Sequence, residues 1–122
     1  MALARFIAGY LRLQVSYDCG LNWVYEDVVQ VNGTSPSVVW SPCEGTEMWL
    51  FYVEGSTLYQ RKRHSTSSSV LKAGVSAARI KPKNRNNHIC TCFYIAGSTL
   101  YSSDLHYISG SSGYEEDTET IR

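Results

Sequence analysis

From Met48 to Val53 every position is apolar: Met48-Trp49-Leu50-Phe51-Tyr52-Val53. A short run of this kind, bounded by turn residues, predicts a strand covered on both faces. Glu54-Gly55-Ser56 follows as a turn in which Gly55 is free to adopt a positive φ. Leu58-Tyr59-Gln60-Arg61 then returns as the second arm of a hairpin, and the hydroxyl-rich run from Ser65 to Ser69 predicts another turn or loop. No segment sustains a helical period with caps. The chain therefore reads as all-β.

The hairpin occurs twice. Residues 51–59 read Phe-Tyr-Val-Glu-Gly-Ser-Thr-Leu-Tyr and residues 93–101 read Phe-Tyr-Ile-Ala-Gly-Ser-Thr-Leu-Tyr, identical at seven of nine positions with an offset of 42. Val38-Val39-Trp40-Ser41-Pro42 precedes the first copy and Ala78-Arg79-Ile80-Lys81-Pro82 the second. A third copy is read at the start, where Phe6-Ile7-Ala8-Gly9 aligns with Tyr94-Ile95-Ala96-Gly97 and Leu11-Arg12-Leu13 continues as a strand.

A period of about 40–45 residues is that of a propeller blade. The expectation is one domain of about three four-stranded blades, divided near residues 1–45, 46–87 and 88–122. Blades cannot cover their own faces, so neighbours must stack on them. Three blades are fewer than the roughly four to eight of a closed ring. Self-association is the simplest completion, with two copies supplying six blades. An open three-unit stack or a β-sandwich competes with it.

Composition sharpens this picture. Nine Tyr, three Trp and three Phe among 122 residues favour strands, and a hydrophobic fraction of 43% is too high for a disordered chain. Eleven basic and eleven acidic residues give no net charge, so neither nucleic acid nor an anionic membrane is an expected partner. The local basic groups, Arg61-Lys62-Arg63-His64 and Lys81, Lys83 and Arg85, read as solvated strand or loop surface. Arg5 and Arg12 interrupt the apolar start, so no signal-peptide core forms. Cytoplasmic synthesis of a soluble protein is expected, which allows later incorporation into a virion.

Residues 16–23 read Ser16-Tyr17-Asp18-Cys19-Gly20-Leu21-Asn22-Trp23. This resembles the Asp-box, Ser-x-Asp-x-Gly-x-Thr-Trp, of the BNR, neuraminidase-type repeat β-propellers. Ser16, Asp18, Gly20 and Trp23 match, and Asn22 replaces Thr. The resemblance implies a structural turn: Asp18 accepts backbone N–H groups, Gly20 reverses the chain, and Trp23 begins the outer strand and buries its ring. The third unit keeps Ser109-Gly110-Ser111-Ser112-Gly113-Tyr114, and Tyr114-Glu115-Glu116-Asp117 echoes Tyr25-Glu26-Asp27. The acidic tail is thus expected as a final outer strand.

Sialidases of this family use an arginine triad, a Tyr–Glu nucleophile pair and a further acid. The nearest echo of their Arg-Ile-Pro motif is Arg79-Ile80-Lys81-Pro82, with a Lys inserted and placed after the Asp-box, not before it. The chain is also too short for an active site that draws on most of a ring. His64, His88 and His106 have no triad spacing, and no phosphate-binding glycine loop occurs. A non-enzyme is expected. Among Cys19, Cys43, Cys90 and Cys92, the repeat aligns Cys90 with Met48 and Cys92 with Leu50, apolar strand positions. Neither a metal nor another cofactor is expected.

The reading that results is a non-catalytic binding or assembly module. Propellers resembling it bind glycans between blades, and the candidate contacts are Trp40, Tyr59, Arg61, Arg79 and Tyr101. Aromatic faces stack on sugar rings, and Arg and Tyr supply directional hydrogen bonds. Tyr59 and Tyr101 occupy equivalent repeat positions, which suits equivalent sites and equally suits a core role. The alternative is a structural part of a larger assembly such as a phage virion or tail. A sialidase-like hydrolase ranks below both.

Overall fold

The computed structural model describes residues 1–40, 48–83, 89–109 and 112–121. Among these there is no helix. Eleven strands form three antiparallel sheets. Sheet 1 holds β1 (Ala2–Ile7), β2 (Tyr10–Val15) and β3 (Val24–Gln30) in chain order. Sheet 2 holds β4 (Thr34–Trp40), β5 (Met48–Glu54), β6 (Thr57–Lys62) and β7 (Ser69–Ala73). Sheet 3 holds β8 (Ala77–Pro82), β9 (Ile89–Ala96), β10 (Thr99–Ser109) and β11 (Gly113–Ile121). Each sheet is a simple meander, and the acidic tail is indeed the last strand.

The repeated hairpins are β5–β6 and β9–β10, and they occupy equivalent places in two different sheets. Both close on two residues, with Glu54 opposite Thr57 and Ala96 opposite Thr99. Gly55 (φ +64°) and Gly97 (φ +61°) take the first turn position, where the twist of the strands demands a positive φ.

The expectation of three four-stranded units needs a correction, because sheet 1 has three strands. Its β1 and β2 correspond to the hairpin, and no strand among the described residues matches β4 and β8 there. A second correction concerns register. The β1–β2 turn is Ala8-Gly9, flanked by Ile7 opposite Tyr10. Superposing turn on turn puts Phe6 at the position of Ile95, not Tyr94. A one-residue slip exchanges the two faces of a strand. Phe6 accordingly faces sheet 2, where its ring meets Tyr52 edge-on at 6.2 Å.

The core lies between sheets. Leu11, Leu13, Val15 and Ala4 of sheet 1 bury against Met48, Leu50 and Tyr52 of sheet 2. Trp49, Phe51, Val53 and Leu58, on the other side of sheet 2, bury against Cys90, Cys92, Tyr94 and Leu105 of sheet 3. The six-residue apolar run is thus buried on both faces because sheet 2 is the middle layer. Cys90 and Cys92 fill small apolar positions in the second seam, as the repeat alignment requires.

Polar groups tie the layers as well. Gln60 Nε2 donates to the Tyr114 carbonyl at 2.9 Å, and its Oε1 accepts the Tyr114 N–H at 2.8 Å. Lys72 pairs with Glu116 at 2.9 Å and sits 5.0 Å from the Tyr94 ring centroid. Asp27 accepts the His64 N–H at 2.8 Å, joining sheets 1 and 2.

Candidate inter-sheet binding site

The turn after β2 is closed by its own side chains. Asp18 accepts the Asn22 N–H at 2.8 Å, the Asn22 side-chain amide at 2.6 Å and the Ser16 hydroxyl at 2.9 Å. Ser16 Oγ in turn accepts the Gly20 N–H at 2.8 Å. These donors hold the Asp18 carboxyl below its ordinary value, the Asn22 backbone N–H most strongly. Cys19 (φ +60°) and Gly20 (φ +91°) reverse the chain. Trp23 departs from expectation: its Nε1 donates to the Gly20 carbonyl at 3.1 Å, but the residue is 38% exposed and is not sunk into the sheet.

Of the five expected ligand contacts, the four whose side chains are described do not converge. Tyr59 stacks on Tyr52 (5.4 Å, 20°) in the seam between sheets 1 and 2. Tyr101 stacks on Tyr94 (5.3 Å, 15°) in the seam between sheets 2 and 3. The pairs are equivalent by repeat, and both tyrosines are half-buried against the apolar clusters. Arg61 donates to the Ser65 carbonyl, while its buried Nε has no partner. Arg79 is exposed on β8, beside a groove of about 410 Å³ along the inner strands. Trp40 ends β4, and its side chain, like Cys43 and His88, lies outside the described residues.

A better-formed cleft opens at the hairpin end of the first seam. It has a volume of about 370 Å³ and is lined by Phe6, Gly9, Asn32, Gly33, Thr34 and Gly55, among others. A second hollow of about 530 Å³ adjoins it through Gly9 and Asn32 and adds Gln30 and Glu54. Glu54 accepts the Asn32 N–H at 3.2 Å, which fixes the rim. Gly33 is required here by close approach, since a Cβ would stand 2.7 Å from the Val53 carbonyl oxygen and 2.8 Å from the Phe6 ring. Two amides, a carboxylate and a ring edge offer hydrogen bonds of both polarities beside an apolar surface. Asn32-Gly33 between two strands is a turn signal that marks the site in the sequence.

The opposite end carries a groove of about 380 Å³ with Lys62, Arg63, His64 and the Ser65–Ser69 run around Trp49. Its positive charge is partly offset by Glu26, 3.9 Å from Arg63. Tyr17 donates to Glu26 at 2.9 Å, an arrangement with the components of a Tyr–Glu pair. The hydrogen bond to Glu26 raises the Tyr17 pKa, which is the wrong direction for a nucleophile. Tyr17 is also 70% exposed, so nothing excludes water from it.

No family model matches the sequence, and neither a curated protein nor a solved structure matches it. Among the described residues no group of three His, Cys, Asp or Glu side chains could hold a metal ion, and no helix is long and apolar enough to cross a membrane.

Proposed function

We propose that this chain is a non-catalytic binding and assembly module of the propeller type. Copies associate to complete a ring, and the clefts between its sheets take glycans. The observation that carries the reading is the repeat itself. Val53 and Leu58 are buried between sheets 2 and 3, whereas their repeat counterparts Ile95 and Leu100 are 39% and 44% exposed on the outer side of sheet 3. Residues of the same type at the same positions are core where a neighbouring sheet exists and surface where it does not. Leaving such a row in water is unfavourable by about 25 cal/mol per Å².

The cleft between sheets 1 and 2 supports glycan as the ligand class. Its amides and carboxylate suit hydroxyl groups, and its open shape suits a chain terminus more than an enclosed metabolite. Two measurements test the reading. Native mass spectrometry should give a mass of two chains, and a single-chain mass at every concentration contradicts ring completion. A glycan array should give hits that Asn32→Ala abolishes, and silence across all sugars removes the glycan assignment.

A further inference from the structure

Each sheet has two unlike faces. The forward face of sheet 2 carries Trp49, Phe51, Val53 and Leu58 and packs on sheet 3. Its backward face carries Met48, Leu50, Tyr52 and Tyr59 and packs on sheet 1. Both internal seams therefore join a forward face to a backward face. The outer faces of the described chain are one of each kind. Sheet 3 leaves its forward face open, with Phe93, Ile95 and Leu100 at the positions of Phe51, Val53 and Leu58. Sheet 1 leaves its backward face open, with Leu3, Tyr25 and Val28 exposed by 43%, 55% and 45%.

Away from the inner strands, the open faces carry charges of opposite sign. The backward face of sheet 1 carries Arg5 and Arg12 and no carboxylate among the described residues. Arg12 lies 5.5 Å from the Tyr10 ring and 5.4 Å from the Tyr25 ring, and its Nε has no hydrogen-bond partner. The forward face of sheet 3 carries Asp104 and Glu115 on its outer two strands, Asp104 being paired with Lys83 at 2.7 Å, whereas its inner strand β8 carries Arg79 and Lys81 on the same face. Asp104 stands on β10, the strand equivalent to the β2 that bears Arg12. A guanidinium set beside two rings, with an unpartnered Nε, is well placed to meet a carboxylate.

From this we infer that a second copy of the chain occupies each open face head to tail: the forward face of sheet 3 docks on the backward face of sheet 1 of another copy. Like-on-like pairing would set two Phe–Ile–Leu rows against each other, which neither internal seam does. Head-to-tail contacts generate closed rings when the rotation closes. Two copies give six sheets, within the range of closed propellers. The inference rests on the self-association proposed above and specifies its polarity.

The test uses two variants of the full chain, each blocked on one face. Ile95→Arg sets a positive charge against Arg5 and Arg12 of the incoming copy. Val28→Glu sets a negative charge against Asp104 and Glu115. Each variant alone should lose the oligomer in native mass spectrometry while keeping the wild-type circular dichroism spectrum. Mixed in equal amounts, they should form a 1:1 heterodimer, since the intact forward face of one meets the intact backward face of the other. Leu100→Arg and Leu3→Glu replace them if either fails to fold. A wild type that is monomeric at all concentrations overturns self-association and the polarity together. An oligomeric wild type whose blocked variants do not recombine, or remain oligomeric alone, overturns the head-to-tail polarity and leaves self-association standing.

Discussion

Gln60 is the most informative single position for stability, because one buried side chain satisfies both backbone groups of one residue in another sheet. Gln60 is 3% exposed and Tyr114 2% exposed, so water cannot replace either bond. In Gln60→Leu, the Tyr114 N–H and C=O both lose their partner, at about 1–3 kcal/mol for each buried unsatisfied group. The leucine recovers some of this through apolar contact with Trp49 and Tyr114, leaving a net cost of roughly 3 kcal/mol. For a domain of this size that is a fall in melting temperature of about 10 °C. Gln60→Glu keeps the shape but can hold both bonds only when protonated, so its deficit should narrow in acid. Thermal melts followed by circular dichroism, at one fixed protein concentration because self-association shifts the midpoint, provide the measurement. A Gln60→Leu midpoint within about 2 °C of wild type would refute the claim that this bridge holds sheets 2 and 3 together. Gly113→Ala probes the same contact from the other side. Its Cβ would overlap Gln60 Oε1 and stand 2.7 Å from the Trp49 ring, at a backbone φ of +83°.

Three further outcomes are expected. Asp18→Ala should lower the melting temperature by opening the turn after β2. Because the folded carboxyl lies below its ordinary value of 3.8, its contribution is full above that value and is lost as pH falls through the depressed one, so the gap between variant and wild type should close in strong acid. Cys90 and Cys92, pushed up to about 11 and about 12 by burial, should resist iodoacetamide in the native protein. The exposed Cys19 should be modified, as read by peptide mass mapping, and native labelling of Cys92 would contradict the packing of the second seam. Gly33→Ala should cost roughly 1–3 kcal/mol, because the Val53 carbonyl it meets is held in a strand pair and cannot move aside. Chemical denaturation with an unchanged midpoint would show that the cleft floor is looser than described.

The two near-identical hairpins were legible because their turns demand glycine at a fixed place and their strands are apolar on both faces. Those constraints act within a few residues and leave a strong local pattern. The first unit was harder to read. Its turn is Ala8-Gly9, with both residues at positive φ (52° and 81°), whereas the others need glycine only at the first position. Aligning glycine with glycine therefore shifts the strand by one residue and exchanges its faces. The strand before each hairpin was found, but Trp40 opposite Met48 and Pro82 opposite Cys90 show that Trp40 corresponds to Pro82, so matching Pro42 with Pro82 is off by two. The cleft residues Asn32, Gly33 and Glu54 were missed because they come together only when two sheets stack. Tyr59 and Tyr101 were found because they repeat, yet repetition alone does not separate a shared packing role from a shared ligand.

Association could in principle run through sheet edges, since any edge strand offers unpaired N–H and C=O groups. The edges here are largely occupied or blunted. On β8, the Ala78 and Ile80 N–H groups donate to the Ser35 and Ser37 hydroxyls of β4 at 3.2 and 3.3 Å, so the inner edges of sheets 2 and 3 cap one another. On β4, Ser35 sits at φ +56° beside Pro36, and the register shifts between Thr34 and Ser37. A bulge with a proline that lacks an N–H cannot template another strand. The β11 edge gives both Tyr114 groups to Gln60, and β7 is only five residues long. The β1 edge is six residues long, packs beside β4 and carries Arg5, a charge of the kind that discourages strand pairing. The faces show no comparable protection, since Ile95, Leu100, Leu3 and Val28 stand open on sheets 1 and 3. Apolar surface that is left uncovered while neighbouring edges are capped directs association through faces, and a substitution such as Ser37→Ala should therefore weaken the fold without changing the number of copies that assemble.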